Sequence, residues 1–562
     1  MSTPTIVLGP LLRYVEPTRA TVWVETDAPC TVRVRCGDAE VSADTWGVHG
    51  HHYAVLALTG LAAGTVTPYV VELDDTPVWP LPGAQPSTIR TRAPDADVRV
   101  AFGSCRRAEG DSAADLAAYG ADALTAMATR MSSDEHEQWP DALLLVGDQV
   151  YADESSAAMR ARLRERRAAG HGPAGARTPE GQQEVAEEIC DFEEYTWLYH
   201  ESWQPEQVRW LLSTVPTCMI LDDHDLRDDW NSSYSWRREM VTRPWWRDRV
   251  VGAFSSYWVY QHLGNLSPDD LADDELYRAV RSAATDAERE QLLADFAWRA
   301  DSQPGSTRWS YYRDFGRTRL LVVDSRCSRR LDPDDRRMVD AAEWEWLRRK
   351  ATDGDIDHLL IGTSLPFLML PGLHHLEGWN EATAEGAWGR AYAKIGEKIR
   401  LAVDLEHWAA FRTSFDDMVA LVTDIAAGAH PPASVLWLSG DVHCSYLAQA
   451  QIDGVDPGRT ALHQLTMSPF RNPLNLPVQL ANRMAQRPGV ARVLRALSRR
   501  AGVVEPAITW DVDDGPWFDN GVMTVVLHER RARVEVDHAW VEPTGSQALR
   551  RTLTRQLADP VR

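Results

Sequence analysis

Seven apolar runs, VRVAFGSC, ALLLVGDQ, TCMILDDH, RLLVVDSR, HLLIGTSL, SVLWLSGDVH and LHQLTMSP, limit the fold more than any other feature, and most of them end in polar or metal-capable residues. Runs this continuous are too apolar for strands with one wet face and read as strands buried on both sides. Longer helical stretches separate them, which is α/β punctuation. In open α/β sheets ligands gather beyond the carboxyl ends of strands, so the endings are expected to converge on one sheet edge.

The stretch from Thr5 to about Arg92 reads differently. Short alternating runs (TIVLG, ATVWVE, TVRVRC, YAVLALTG, YVVEL) lie between Pro, Gly and Asp signals, the pattern of a β-sandwich. Leu58, Leu61, Gly64, Thr65 and Tyr69 resemble the turn and tyrosine corner of fibronectin type III domains. The expected division is a fibronectin- or immunoglobulin-like sandwich at 1–94, an α/β domain at 95–545 and a helical tail at 546–562.

The 562 residues include 59 basic and 82 acidic ones, a formal net charge of −23, which argues against nucleic acid as a stable partner. An anionic substrate would need cations or local arginines. One basic stretch, Gln479 to Val503, sets Arg483, Arg487, Arg492, Arg495, Arg499 and Arg500 among Leu and Val; it reads as a solvated helix face or as a phosphate-attracting or membrane-touching surface. Seven scattered cysteines with no CxxC pair argue against a zinc ribbon or disulfide scaffold. With no apolar leader and no transmembrane run, the expectation is a soluble, cytoplasmic protein of undetermined oligomeric state.

The strand ends carry the chemistry. Cys105 closes GSC, and Asp148 and Tyr151 follow ALLLVG. An aspartate can bridge two cations, and a phenolate suits a hard trivalent ion. LDDHDLRDDW packs Asp222, Asp223, His224, Asp225, Asp228 and Asp229 together, a density of acid that is costly unless cations neutralise it. Asp441 and His443 are two apart, where alternate residues share a direction. Carboxylate, phenolate, thiolate and imidazole from four strand ends are what a two-metal hydrolytic centre needs. No GxSxG, P-loop or GxGxxG competes with it. Asp225 is the nearest carboxylate to orient the His224 imidazole. Arg106 is a candidate phosphate contact. Most of the eight tryptophans between Trp197 and Trp258 are expected in the core, and PGLHHLEGWNEATAEGAWG suits a flap.

GSC, GDxxY, DDHD and GDVH, in this order, resemble the PhoD-like alkaline phosphatase branch of the calcineurin-like metallophosphoesterases, over about residues 97 to 541. The resemblance implies a four-layer αββα core of two stacked mixed sheets behind the sandwich. It also implies metal-dependent hydrolysis of phosphate monoesters, diesters or both by a metal-activated hydroxide. Carried over by motif, Cys105 and Tyr151 would hold an iron, Asp148 would bridge, Asp223 would hold the second ion, and Asp441 and His443 would complete the centre. His224 would face the leaving oxygen. Separately from the motifs, Arg106 and Asn231 are candidate substrate-binding residues. Fe(III) and Ca(II) are the implied ions, with Mn(II) or Zn(II) as alternatives, and Asp228 and Asp229 form a possible calcium site. A rival reading keeps the metals but not the turnover: a noncatalytic or weakly active protein that recognises a phosphorylated polymer or glycan. A third makes the acidic loops a calcium-stabilised scaffold.

Overall fold

The computed structural model describes residues 3–94, 96–402 and 405–559. All seven apolar runs form strands, and they sit in two large sheets. The six-stranded sheet runs, edge to edge, Thr217–Ile220, Ala142–Val146, Val98–Gly103, Gly521–His528, Arg531–Val541 and Gln547–Ala558. Its first three strands are parallel and the rest antiparallel. In the seven-stranded sheet, Thr318–Val323, His358–Thr363, Ser434–Ser439 and Ala461–Thr466 are parallel neighbours, flanked by antiparallel strands.

The continuity of the apolar runs has a direct cause. In Ala142–Val146, residues Ala142, Leu144 and Val146 pack between the two sheets, while Leu143 and Leu145 pack under the helices on the other face. Leu320 and Val322 face the first sheet in the same way, and Leu321 and Val323 meet the helices beyond the second. Period-two side chains thus serve two cores, and each fully buried Leu or Val contributes roughly 1.5–3 kcal/mol. Helices Phe192–Trp203, Glu206–Thr214 and Trp246–Ser256 cover the first sheet, and Ala341–Thr352 and Arg412–Ala427 the second, which completes four αββα layers. All eight tryptophans from Trp197 to Trp258 are buried in the first of these helical layers.

Two expectations fail. The stretch expected as a helical tail at 546–562 is a strand, Gln547–Ala558, antiparallel to Arg531–Val541; residues beyond 559 lie outside the described ones. Leu549, Leu553 and Leu557 recur every four residues, a spacing that a helix face and one face of a strand both satisfy, and the unpaired edge of the sheet decides between them. The expected flap is instead the helix Pro371–Ala384, with His374 and Glu377 buried.

Residues 3–94 form the sandwich, one sheet of Ile6–Val15, Arg19–Thr26, His51–Thr59 and Trp46–Val48 against another built on Thr31–Cys36 and Val66–Leu73. Its first sheet docks on the α/β module through Leu8, Leu11, Trp23 and Tyr53. Tyr69 does not close a corner within its own domain: its hydroxyl donates to the Ser213 carbonyl at 2.7 Å. Arg13 is fully buried and donates to the carbonyls of Tyr260 and Gln261, both at 2.7 Å. Glu25, also fully buried, meets His51 Nδ1 at 2.7 Å and His200 Nε2 at 2.9 Å, and His51 Nε2 lies 2.9 Å from Glu193.

Burial opposes the charge on His51, but Glu193 and Glu25 outweigh it and lift the imidazole to about 9. A histidine raised above its unfolded value stabilises the fold fully below the unfolded pKa and loses that contribution as pH climbs through the folded one. The stability difference between the protein and His51→Ala, measured by denaturant unfolding, is therefore expected to shrink by about 1–3 kcal/mol between about pH 6 and pH 10. A difference independent of pH contradicts the pairing of His51 with Glu25 and Glu193.

Candidate metal centre

The strand ends turn sharply where the candidate ligands stand. Cys105, Asp148, Asp441 and His443 all adopt left-handed backbone, with φ of 58°, 52°, 65° and 47°. Non-glycine residues hold that region only where the surroundings enforce it, and such positions cluster at functional sites. Glycines make the turns possible. Gly147 has φ of 108°, and a Cβ there would lie 2.6 Å from Asp222 Cβ; one on Gly440 would lie 2.1 Å from Ser104 Oγ.

Two groups of donors result, and they share a residue. Cys105, Asp148 and His443 each place a ligand atom within 4.8 Å of the others, and so do Asp148, Asp222 and Asp223. On the first side the Cys105 thiol and the Tyr151 hydroxyl each donate to Asp148 Oδ2 at 3.3 Å. Asp148 Oδ1 and Asp222 Oδ2 are buried without a hydrogen-bond partner among the described residues, and Asp223 Oδ1 has only the Arg326 guanidinium, at 3.2 Å. Burial followed by neighbouring acid pushes Cys105 well up, and burial pushes His443 down to about 4, so this imidazole is neutral with a lone pair to offer.

Charge balance is poor. Asp222, Asp223 and Asp441 surround Arg326, a fully buried guanidinium paired with Asp222 and Glu406 and lying 3.2 Å from Asp223 and 3.4 Å from Asp441. Arg329, 2.9 Å from Glu406, and His407, whose Nδ1 is 2.6 Å from Glu377, complete the cationic side. Burial first, then mutual repulsion, lifts Asp222 and Asp223 far above the carboxylate range and Asp148 to about 6. Unpartnered oxygens on carboxylates that cannot all ionise together are a donor set for cations, and oxygen, imidazole and thiolate donors suit transition-metal as well as hard ions. The residues present fit a two-cation centre.

Several expected roles meet different geometry. Asp225 does not touch the His224 ring; its carboxylate accepts from the amides of Asp148, Val150 and Asp222 at 3.0–3.3 Å, tying two donor turns together. The partner of His224 is Asp153, 2.9 Å from Nδ1, which also accepts from the Asp228 amide at 2.6 Å. Burial lowers His224, but Asp153, Asp148 and Asp223 outweigh it and hold the ring well above its usual range. Arg106 faces away from the centre, buried against Asp122 at 2.6 Å and the Ser202 carbonyl at 2.7 Å. Asn231 is buried too, its amide donating to the Arg326 carbonyl at 3.1 Å and accepting from Arg237 at 3.1 Å. Asp228 is exposed, with Oδ1 3.9 Å from His224 Nε2, and neither it nor Asp229 joins a metal-capable group among the described residues. The Asp441 carboxylate lies in neither ligand group, being held by Arg326 and by His407 Nε2, each at 3.4 Å.

Other residues at the centre belong to none of the motifs. Asn472 Nδ2 donates to the Tyr151 hydroxyl at 3.0 Å and lies 3.4 Å from His443 Nε2. Arg107 sits with its guanidinium carbon 5.6 Å from the Tyr151 ring centroid, and its buried Nε has no partner among the described residues. The one available signal was position: Arg326 follows a strand in LVVDSR, and Asn472 follows the Ala461–Thr466 strand.

A family model described as PhoD-like phosphatase matches residues 117–488, and one described as a domain of unknown function (DUF7800) matches residues 3–91. No curated protein matches the chain. Among solved structures it is similar to one titled "Structure of PhoD", at 12% identity and a TM-score of 0.59, over 99% of this chain and 92% of that one. A purple acid phosphatase, PPD1 from seeds of yellow lupin (Lupinus luteus), aligns at 10% identity and a TM-score of 0.47 over 95% and 72% of the two chains. At such identity the first likeness concerns the fold alone.

If the centre is built for cations, removing a surplus buried charge helps the metal-free protein. In chelator, Asp223→Asn is expected to raise unfolding stability by about 1–3 kcal/mol while weakening cation uptake in isothermal titration. Loss of stability in chelator contradicts the surplus.

Proposed function

The chain belongs to the PhoD-like phosphatase family, and from that premise and the shared position of Asp148 we propose that it is a two-cation phosphoric ester hydrolase acting on phosphate monoesters or diesters. Bound cations would neutralise phosphoryl oxygens and acidify a water into a nucleophile near neutral pH. Cys105, Tyr151 and His443 would hold one ion, Asp222 and Asp223 the other, and Asp148 would touch both. The donor chemistry on the first side, a thiolate and a phenolate, favours iron there; calcium, manganese and zinc remain candidates for the second.

The remaining roles fall to the chain's side chains. Asp153 fixes His224 Nδ1 as a donor at 2.9 Å, which leaves Nε2 to give a proton to the departing alkoxide. Arg107, which flanks the Tyr151 ring and is paired with Glu154 and Glu109, would exchange a glutamate for a phosphoryl oxygen in the place expected of Arg106. Asn472 keeps the Tyr151 oxygen and the His443 ring in register through its amide. Asp225 holds the Asp148 and Asp222 turns at fixed separation, which would keep the donors of the two groups in place when cations are bound.

The observation that carries this reading is the common membership of Asp148 in both donor groups. Turnover of a chromogenic monoester and diester, with and without chelator, tests it and separates it from a noncatalytic metal protein. His224→Ala is expected to lower kcat by about 10²–10⁴-fold with metal content unchanged. Equal loss of metal and turnover would make His224 a ligand instead. Asp153→Asn should lower kcat less and shift the alkaline limb of its pH profile to lower pH, since Asp153 is what raises His224, an effect that simple loss of packing does not produce.

A further inference from the structure

Outside the centre, two helices, Leu476–Ala485 and Pro488–Arg500, carry a concentration of basic residues with few ion pairs. From Leu476 to Val504 the sequence holds six arginines and no acidic residue, in a chain of net charge −23. Of the six, only Arg495 and Arg499 have a carboxylate partner among the described residues, and both share Glu505.

The same helices leave large apolar side chains in water. Leu476 is 77% exposed, Leu480 57% and Met484 45%, and they follow one another at intervals of four, a single stripe along the first helix with Arg483 beside it. On the second helix Val493 is 69% exposed. The opposite sides are committed: Ser498 is buried against Gly378 of the helix Pro371–Ala384, and the backbone of Ala485 closes on Gly372. The exposed stripe is therefore the outer face of an anchored pair, not an unpacked end. Between this pair and the Ile508–Trp517 strand lies a cavity of about 690 Å³ lined by Arg483, Arg487, Arg492 and Arg495, with Glu505 and Asp511 as its acidic residues.

We propose that the two helices form a docking surface for an anionic lipid bilayer, with Leu476, Leu480, Met484 and Val493 entering the headgroup layer and the arginines meeting lipid phosphates. Apolar residues beside arginines on one helix face, with no acid among them, are the physical signature of a helix lying in a membrane interface. A purely solvated face explains the arginines but not exposed leucines and methionine beside them. The charge argues for lipid as the occupant rather than a second copy of this chain, since two copies would bring like-charged surfaces together. Among the described residues no helix is long and apolar enough to cross a membrane, so the association is peripheral. Asn472, which touches the Tyr151 hydroxyl, lies four residues before Leu476, so the surface begins where the centre ends.

Co-sedimentation with extruded vesicles tests this directly. The purified full-length protein is expected to bind phosphatidylglycerol-rich vesicles and not pure phosphatidylcholine ones, with binding lost at about 0.5 M salt. Arg483→Gln, Arg487→Gln and Arg492→Gln together should weaken binding by roughly fivefold per arginine. Leu476→Ser with Leu480→Ser should weaken it without changing the charge. Both sets should hydrolyse a soluble phosphate ester as the parent does, which shows that the fold and centre are intact. Equal binding to both vesicle types, or binding unchanged in the variants, overturns the proposal. So does a protein that ignores vesicles but forms dimers which the leucine variants dissociate in sedimentation velocity.

Discussion

The fully buried guanidinium of Arg326 stands among carboxylates that outnumber it and its neighbour Arg329, and the rest of the centre is arranged around that imbalance. Buried carboxylates are tolerated when paired or neutralised, and each unpaired one carries a desolvation cost of several kcal/mol on the order given by transfer data. Here Arg326 pairs Asp222 and Glu406 and approaches Asp223 and Asp441, yet Asp148 Oδ1 and Asp222 Oδ2 remain without hydrogen-bond partners among the described residues. The fold sustains this because strong sandwiching of two sheets supplies the stability, and left-handed turns at Cys105, Asp148, Asp441 and His443 spend some of it. What such an arrangement gains is affinity for cations.

Much of this was legible in the sequence because burial leaves a plain mark. Strands covered on both faces must be apolar throughout, so all seven runs could be read as strands, and the donors at their ends could be read as convergent. The reading failed where two periods agree or where partners come from afar. Leu549, Leu553 and Leu557 satisfy helix and strand alike, and only the neighbouring strand Arg531–Val541 selects the strand. Asp225 is adjacent to His224 in sequence, but the backbone turn aims its carboxylate at amides, whereas Asp153, 71 residues away, reaches the imidazole. Arg106 and Arg107 differ by one position, and consecutive side chains on extended backbone point opposite ways, so one enters an internal ion pair with Asp122 and the other flanks the Tyr151 ring.

The N-terminal sandwich belongs to the same mechanical unit. Tyr69 reaches Ser213, Arg13 reaches Tyr260 and Gln261, and Glu25 gathers His51 and His200. Gln261 in turn donates to Asp225 at 3.4 Å, so a chain of buried polar contacts links the docked sandwich to the turn that holds Asp148. Packing of this kind fixes a site on rigid elements rather than on loops, which is what precise placement of ions requires.

Elemental analysis of purified variants tests the central claim, that Asp148 serves two ions at once. The parent protein is expected to hold two equivalents of metal per chain, His443→Ala one, and Asp148→Asn close to none. Retention of a full equivalent by Asp148→Asn, or a parent protein that binds only one, would show that the two donor groups do not form one centre.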